Sequence, residues 1–352
     1  MKILLTGGCG FIGANLALAL RQSAHQVVCF DNLSRTGSEL LSRRVQEYGC
    51  KFVRGDVRKP KDLEKVKTSF DLMIDCSADP SVLRGSKGAD ARFVIENNLM
   101  GSVHCFEFCR RRRIPVIFFS TARVYPYSTI NRLRFRETVA RYEYADRVPS
   151  ITKQGVGTEF SLTGYRSLYG ATKLASEQLL QEYSGLYGLP AVINRCGIIG
   201  GPWQLAKSDQ GVFTYWMARH FFRKNLNYIG FGGKGKQVRD LLHIDDLTTL
   251  IKKQISRIEE FRGEVFNVGG SDFSNLSLFE ATEWCRRMTG NKIRIGKEPK
   301  TRPADVKWML LDNRRAEKEF GWRPQKKPED IFGDTYRWMQ QNEKDFKKIF
   351  TA

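Results

Sequence analysis

Through the first two-thirds of the chain apolar residues gather in short runs, at 2–5, 26–31, 51–55, 72–76, 115–120 and 190–195, the last five each closing on a small or polar residue. Between the runs lie segments of helical length, at 37–48, 61–70, 90–113 and 168–188. Strands alternating with helices predict an α/β fold built on a doubly wound parallel sheet. After Gly200-Gly201-Pro202 the alternation breaks up. A helix at 210–223, a glycine-rich turn at 230–235, a helix after His243, a strand at 264–268 and further helices follow. The expected division is a sheet domain over 1–195 plus about 236–268, and a smaller domain over about 196–235 plus 269–345. The longest irregular stretch, 126–164, is long for a loop without a function.

The first run leads straight into Thr6-Gly7-Gly8-Cys9-Gly10-Phe11-Ile12-Gly13 and then a helix-like segment to Leu20. Glycines at a strand-to-helix turn let the backbone approach a ligand, and the first-turn amides of Phe11, Ile12 and Gly13 point at it with the positive end of the helix dipole. A pyrophosphate fits such a site. Two registers overlap, Gly8-Gly10-Gly13 and the wider Gly7-Gly10-Gly13, and both indicate a dinucleotide. Asp31 stands eighteen residues beyond Gly13 at the end of the second run, where an acid would hold the adenosine ribose hydroxyls and repel a 2′-phosphate. That favours NAD over NADP, although Arg35 lies nearby. The alternative for Asp31 is a cap on the turn Asn32-Leu33-Ser34. Asp56, after the third run, would reach the adenine or cap its own turn.

Composition narrows the classes. The 352 residues, 41% of them apolar, suffice for a large core. No apolar run reaches membrane-spanning length and the first strand starts at Lys2, so the expectation is a soluble, cytoplasmic protein with no membrane partner. Eight scattered cysteines read as core residues in a reducing compartment. Cys105 and Cys109 lack further ligands, so no metal site is expected. The net charge of +20 would attract anions, either nucleic acid or a phosphorylated small substrate. Arg110 to Arg113 is the densest cluster, and its place at the end of a helix-like segment favours a C-terminal capping role over a nucleic-acid contact.

The fifth run ends in Ser120-Thr121-Ala122-Arg123-Val124-Tyr125, and Tyr169-Gly170-Ala171-Thr172-Lys173 opens a later helix. Four residues apart, Tyr169 and Lys173 share a face, so the ammonium would favour the phenolate and make a usable base. Thr121, at the carboxyl end of a central strand, would hold the substrate alcohol whose proton Tyr169 takes.

The glycine loop, Ser120-Thr121, the Tyr169/Lys173 spacing and Gly200-Gly201-Pro202 together resemble the extended short-chain dehydrogenase/reductases, the NAD-dependent epimerase/dehydratase family that modifies nucleotide sugars. The likeness spans almost the whole chain and extends to Phe30-Asp31-Asn32-Leu33-Ser34-Arg35, Asp209-Gln210-Gly211, Gly235 to Asp240 and Asn267-Val268-Gly269-Gly270. It implies a Rossmann-type sheet with a mixed α/β substrate-binding domain. It also implies catalytic roles for Thr121, Tyr169 and Lys173, and cofactor contacts from the glycine loop, Asp31, Asn32, Ser34, Arg35, Asp56, Val57, Ser77, Asn98, Ser120, Tyr169, Lys173 and Arg195. Substrate contacts would come from Thr121, Arg123, Gln210, Gly211, Arg239 and Arg302. The two last are the phosphate candidates, since an arginine can grip a phosphate with two parallel bonds; their alternative is an ion pair with Asp240 or Asp305.

Departures narrow the chemistry further. Dehydratases of this kind carry Asp-Glu after the threonine, and here Ala122 and Arg123 stand there, so no acid is placed to eliminate water. Ala122 also replaces an expected asparagine, and Pro126 a glycine. The resemblance implies an NAD-dependent epimerase inverting carbon 2 of a CDP-hexose by transient oxidation. Its helices at 90–113 and 168–188 would pair in a homodimer or homotetramer. The alternatives are a 4-epimerase of a UDP- or GDP-sugar, a true dehydrogenase, or a basic nucleic-acid-binding protein on a dehydrogenase scaffold.

Overall fold

The structure, a computed structural model, describes residues 1–86 and 90–351. Its two main sheets use β1 (Lys2–Thr6), β2 (Gln26–Asp31), β3 (Lys51–Arg54), β4 (Leu72–Asp75), β5 (Val116–Thr121), β6 (Ala191–Cys196), β7 (Ile198–Gly200), β8 (Val238–His243), β9 (Arg262–Val268), β10 (Asn275–Ser277) and β11 (Trp308–Met309). The larger sheet is seven-stranded, all parallel, in the order β9-β6-β5-β4-β1-β2-β3. Every residue of β4, β5 and β6 is buried, which is why these strands read as unbroken apolar runs: both faces are covered. Leu4, Val28, Met73 and Phe118 face one layer, while Ile3, Leu5, Cys29, Ile74 and Ile117 face the other.

Helices α1 (Phe11–Gln22), α2 (Ser38–Glu47), α3 (Gly101–Arg112) and α4 (Leu168–Tyr187) link the sheet strands. Chain order reverses between β1 and β4, so the glycine loop after β1 opens onto the switch point where doubly wound sheets bind ligands. The second sheet places β8 between β7 and β10, with β11 also paired to β8. Here the structure departs from the expected division. Residues 238–243 belong to the second sheet, and only β9 returns to the first.

Three local expectations also differ. The helix expected at 61–70 is a single turn, Pro60–Leu63, beyond which the weak helix formers Thr68 and Ser69 follow while Val66 and Phe70 still reach the core. The 90–113 helix contains a π-helical segment, Ile95–Met100. The 126–164 stretch holds two small hairpins, Phe135–Glu137 with Tyr142–Tyr144 and Ile151–Thr152 with Gly155–Val156. Its Ile130, Val156 and Phe160 share a core with Trp308 and Leu311, so it is part of the smaller layer.

Arg110 pairs with Glu107, Arg112 with Glu64, and Arg113 closes α3 in the left-handed conformation, in keeping with a helix-end role. All eight cysteines are free thiols. Among the described residues no helix is long and apolar enough to cross a membrane.

Candidate active site

The loop after β1 is built around two glycines. Gly7 has φ +65°, and a Cβ there would lie 2.8 Å from the Cys76 carbonyl carbon at the end of β4. A Cβ on Gly13 would lie 2.2 Å from the Gly7 carbonyl oxygen, so α1 can sit this close to the loop only with glycine in its first turn. Gly8 serves the packing of the loop on β2, since its Cβ would strike that of Cys29 at 2.6 Å. The wider register, Gly7-Gly10-Gly13, is therefore the one that shapes the cradle. No side chain caps α1, which leaves its first-turn amides for a ligand.

The cradle opens into a cavity of about 990 Å3 that runs from the glycine loop to the second sheet. Its wall contains Gly7, Gly10, Phe11, Ile12, Gly13, Asp31, Asn32, Ser34, Arg35, Val57, Ser77, Ser120, Thr121, Arg123, Tyr169, Lys173, Gln210, Gly211, Arg239 and Arg302. Residues nearly three hundred positions apart thus meet in one chamber.

At the adenosine end Asp31 accepts the amides of Cys9 (3.0 Å) and Leu33 (2.8 Å), so it braces the loop and its own turn at once. Burial raises its pKa, and those amides work against the rise. Burial likewise lowers the pKa of Arg35, opposed by Asp79, Asp209 and Asp31. Asp56 turns away from the wall: its carboxylate binds the Arg58 guanidinium and accepts from Asn32. Asn98 also stays outside the wall, where it holds the Asp79 backbone through bonds of 2.8 and 3.0 Å.

Arg195 is the third expected cofactor residue that does not reach the chamber. Its guanidinium is joined through Nη2 to Glu177 Oε2 at 2.7 Å and donates to the Tyr125 hydroxyl at 3.2 Å. Glu177 also accepts the Ser120 hydroxyl, so one buried carboxylate fixes both side chains. Sequence reasoning missed Glu177, yet the signal was there: Tyr169, Lys173 and Glu177 follow at intervals of four along α4.

Helix α4 starts at the cap Ser167, which accepts the Gly170 amide at 3.1 Å. A Cβ on Gly170 would lie 2.1 Å from the Arg123 carbonyl oxygen, so glycine lets the helix press against the turn after β5. That contact brings Tyr169 to Thr121. Burial pushes the Tyr169 phenol up to about 12, and Thr121 and Arg123 pull the other way. Tyr169 and Lys173 line the same wall; Lys173 Nζ sits 4.1 Å from the centre of the Phe118 ring, and Arg123 is a further cation that favours the phenolate. Burial lowers the pKa of Lys173, opposed by Asp75 and then by Cys76, Glu177 and Cys196.

At the far end Arg239 donates to Asp305 (2.6 Å) and to the carbonyls of Val238 and Val306, while Arg302 donates to the Ser208 carbonyl at 3.0 Å. The ion pair foreseen for Arg239 is thus made, with Asp305. Burial and the neighbouring Arg123 bring Arg239 down to about 10 despite Asp305. Arg123 Nη1 reaches the Ala304 carbonyl at 3.1 Å, which puts Arg123, Arg239 and Arg302 around one segment.

The glycine cradle with free amides, the acid at the second strand and a hydroxyl-phenol-ammonium set at one chamber define a pyridine-dinucleotide enzyme of the short-chain type. The chain belongs to the NAD dependent epimerase/dehydratase family, whose model matches residues 3–269. It is 28% identical over 345 residues to the CDP-paratose 2-epimerase of Salmonella typhi, covering 96% of this chain and 99% of that one. It is also 25% identical to a UDP-glucose 4-epimerase of Corynebacterium glutamicum, over 92% and 91% of the two chains. Among solved structures, UDP-glucuronic acid 4-epimerase from Bacillus cereus, in complex with UDP-glucuronic acid and NAD, superposes with a TM-score of 0.77 at 26% identity, over 97% and 99% of the chains. The family is NAD-dependent, and NAD is the cofactor the cradle fits.

Proposed function

We propose that the chain is a nucleotide-sugar epimerase that inverts carbon 2 of a CDP-hexose by transient oxidation and re-reduction. The observation that carries the reading is the set at the chamber's centre: Thr121 and Tyr169 meet beside a position where dehydration would need an acid, and Ala122 and Arg123 occupy it. A hydroxyl, a phenol and a nearby cation can take and return a proton at a sugar hydroxyl. They cannot expel water. The full-length likeness to a CDP-paratose 2-epimerase supports the choice of carbon and base.

NAD supplies the hydride acceptor and donor when bound. The chain's own part begins with Thr121, whose hydroxyl orients the sugar alcohol. Tyr169 takes the alcohol proton as the carbon is oxidised, with Arg123 favouring the phenolate. Lys173 holds its ammonium at the same wall. Arg239 and Arg302 would grip the diphosphate while the keto-sugar turns over, and Tyr169 then returns the proton. The reading includes a homodimer paired through the 91–112 and 168–187 helices, which expose Ile95, Met100, Leu179, Leu186 and Tyr187.

The test is to purify and size the protein, identify the nucleotide it releases, and incubate it with CDP-, UDP-, GDP- and ADP-hexoses in deuterated water under NMR. Inversion at carbon 2 of a CDP-hexose without deuterium at that carbon is expected. Deuterium there would replace the mechanism with enolisation, and turnover at carbon 4 of a UDP- or GDP-sugar would establish the 4-epimerase reading.

A further inference from the structure

No motif singled out Asp75, the last residue of β4, yet it is fully buried beneath the chamber. Strand register makes it one member of a rung: Thr6 on β1 pairs with Asp75, and Asp75 pairs with Phe118 on β5. Paired positions in a parallel sheet send their side chains to the same face. Asp75 Oδ1 accepts the Thr6 hydroxyl at 2.7 Å and, from Ser77, the amide at 3.0 Å and the hydroxyl at 2.5 Å. Oδ2 accepts the Ser102 hydroxyl of α3 at 3.1 Å. All four donors are neutral, and four donors into two oxygens suit a carboxylate. Its charge has to be met from elsewhere.

The ammonium that sits over the third member of the rung, Phe118, stands nearby. Lys173 Nζ, on a side chain only 1% exposed, lies 4.1 Å from the centre of the Phe118 ring, one strand over from Asp75. Among the described residues no carboxylate lies within 4 Å of that ammonium, so its donors stay free for the chamber it lines.

We propose that Asp75 is the positioning residue for Lys173: the carboxylate, fixed by Thr6, Ser77 and Ser102, is the countercharge that keeps the buried lysine an ammonium at the cofactor wall. Other groups face the same ammonium, namely Cys76 after β4, Glu177 on α4 and Cys196 on β6, with Cys105 of α3 nearby. Asp75 is the foremost among those that oppose the effect of burial. The inference rests on the role given to Lys173 above, but its test does not require turnover.

The full chain labelled with 13C-lysine is titrated by NMR, with the Lys173 Cε resonance assigned by its loss in Lys173→Met. In Asp75→Asn the Lys173 midpoint is expected to fall by about 1–3 pH units. The alkaline limb of kcat in the NAD-loaded enzyme moves to lower pH with it. An unmoved midpoint in a folded Asp75→Asn protein overturns the proposal. Should that variant not fold, thermal unfolding of Lys173→Met and of Asp75→Asn/Lys173→Met at pH 8 decides. The double variant is expected to be the more stable, because it no longer strands a buried anion, and a double variant no more stable than Lys173→Met overturns the proposal. If no sugar nucleotide is turned over, the proposed function fails while the lysine titration still stands or falls by itself.

Discussion

At Tyr169 burial works against the chemistry asked of the side chain. The phenol is pushed up to about 12, so at neutral pH the resting group is protonated, and Thr121 and Arg123 are what bring it back toward use. Replacing it with phenylalanine removes only the hydroxyl. Tyr169→Phe is expected to lower kcat by about 10²–10⁴-fold, the range for a positioned acid-base group, while NAD still co-purifies; steady-state rates and analysis of the released nucleotide measure the two. Retained turnover would move the acid-base role to another group. The pair Tyr169 and Lys173 was legible from a spacing of four, because a helix fixes which residues share a face. Their further neighbours were not, because Arg123 and Phe118 come from another part of the chain.

Helix α4 joins catalysis to stability through its next turn. Glu177 and Arg195 are 1% and 6% exposed at their side chains and 2.7 Å apart. Removing one charge of such a pair leaves the other uncompensated, at a cost of about 3–5 kcal/mol. Glu177→Gln is therefore expected to lower unfolding free energy by that amount in urea titration and to loosen Ser120 beside the cofactor wall. A change under ~1 kcal/mol would mean water reaches Arg195. Among the elements, the glycine loop and the central strands could be read directly, since their signals lie in consecutive residues. The π-helical turn at Ile95–Met100 and the hairpins inside 126–164 could not. They answer to distant demands: Asn98 must meet the Asp79 backbone, and Val156 must meet Leu310.

At the scale of the whole molecule the joint between the two sheets turns on Asp240 of β8. It accepts the Leu311 amide at 3.1 Å, and a Cβ on Gly197 or Gly269, where β6 and β9 leave the first sheet, would run into its carboxylate. Burial raises Asp240 to about 7, against amides of Leu311, Ser271 and Ile198. In the unfolded chain the group titrates near ~3.9. Between those values the folded protein holds a proton the unfolded chain has shed, so this group makes stability fall as pH rises from about 4 to about 7 and adds no slope above. The whole fall is of the order of 4 kcal/mol. Thermal unfolding from pH 5 to 8 should show the native protein losing stability relative to Asp240→Asn, whatever the variant's absolute Tm. Parallel curves would show that Asp240 does not titrate in that range.

What the sequence determined by itself is local. Runs of buried residues specified the strands, glycines at intervals of three specified the cradle, and a tyrosine and lysine four apart specified one face of α4 at the chamber. Each signal lies within a few residues because backbone geometry repeats over that distance. What tertiary structure decided is which partners the buried charges meet, as Arg195 meets Glu177 and Arg239 meets Asp305. A charge withdrawn from water must find its counterpart within a few ångströms. Strand register and helix packing set which residues stand that close, and neither is written in neighbouring positions.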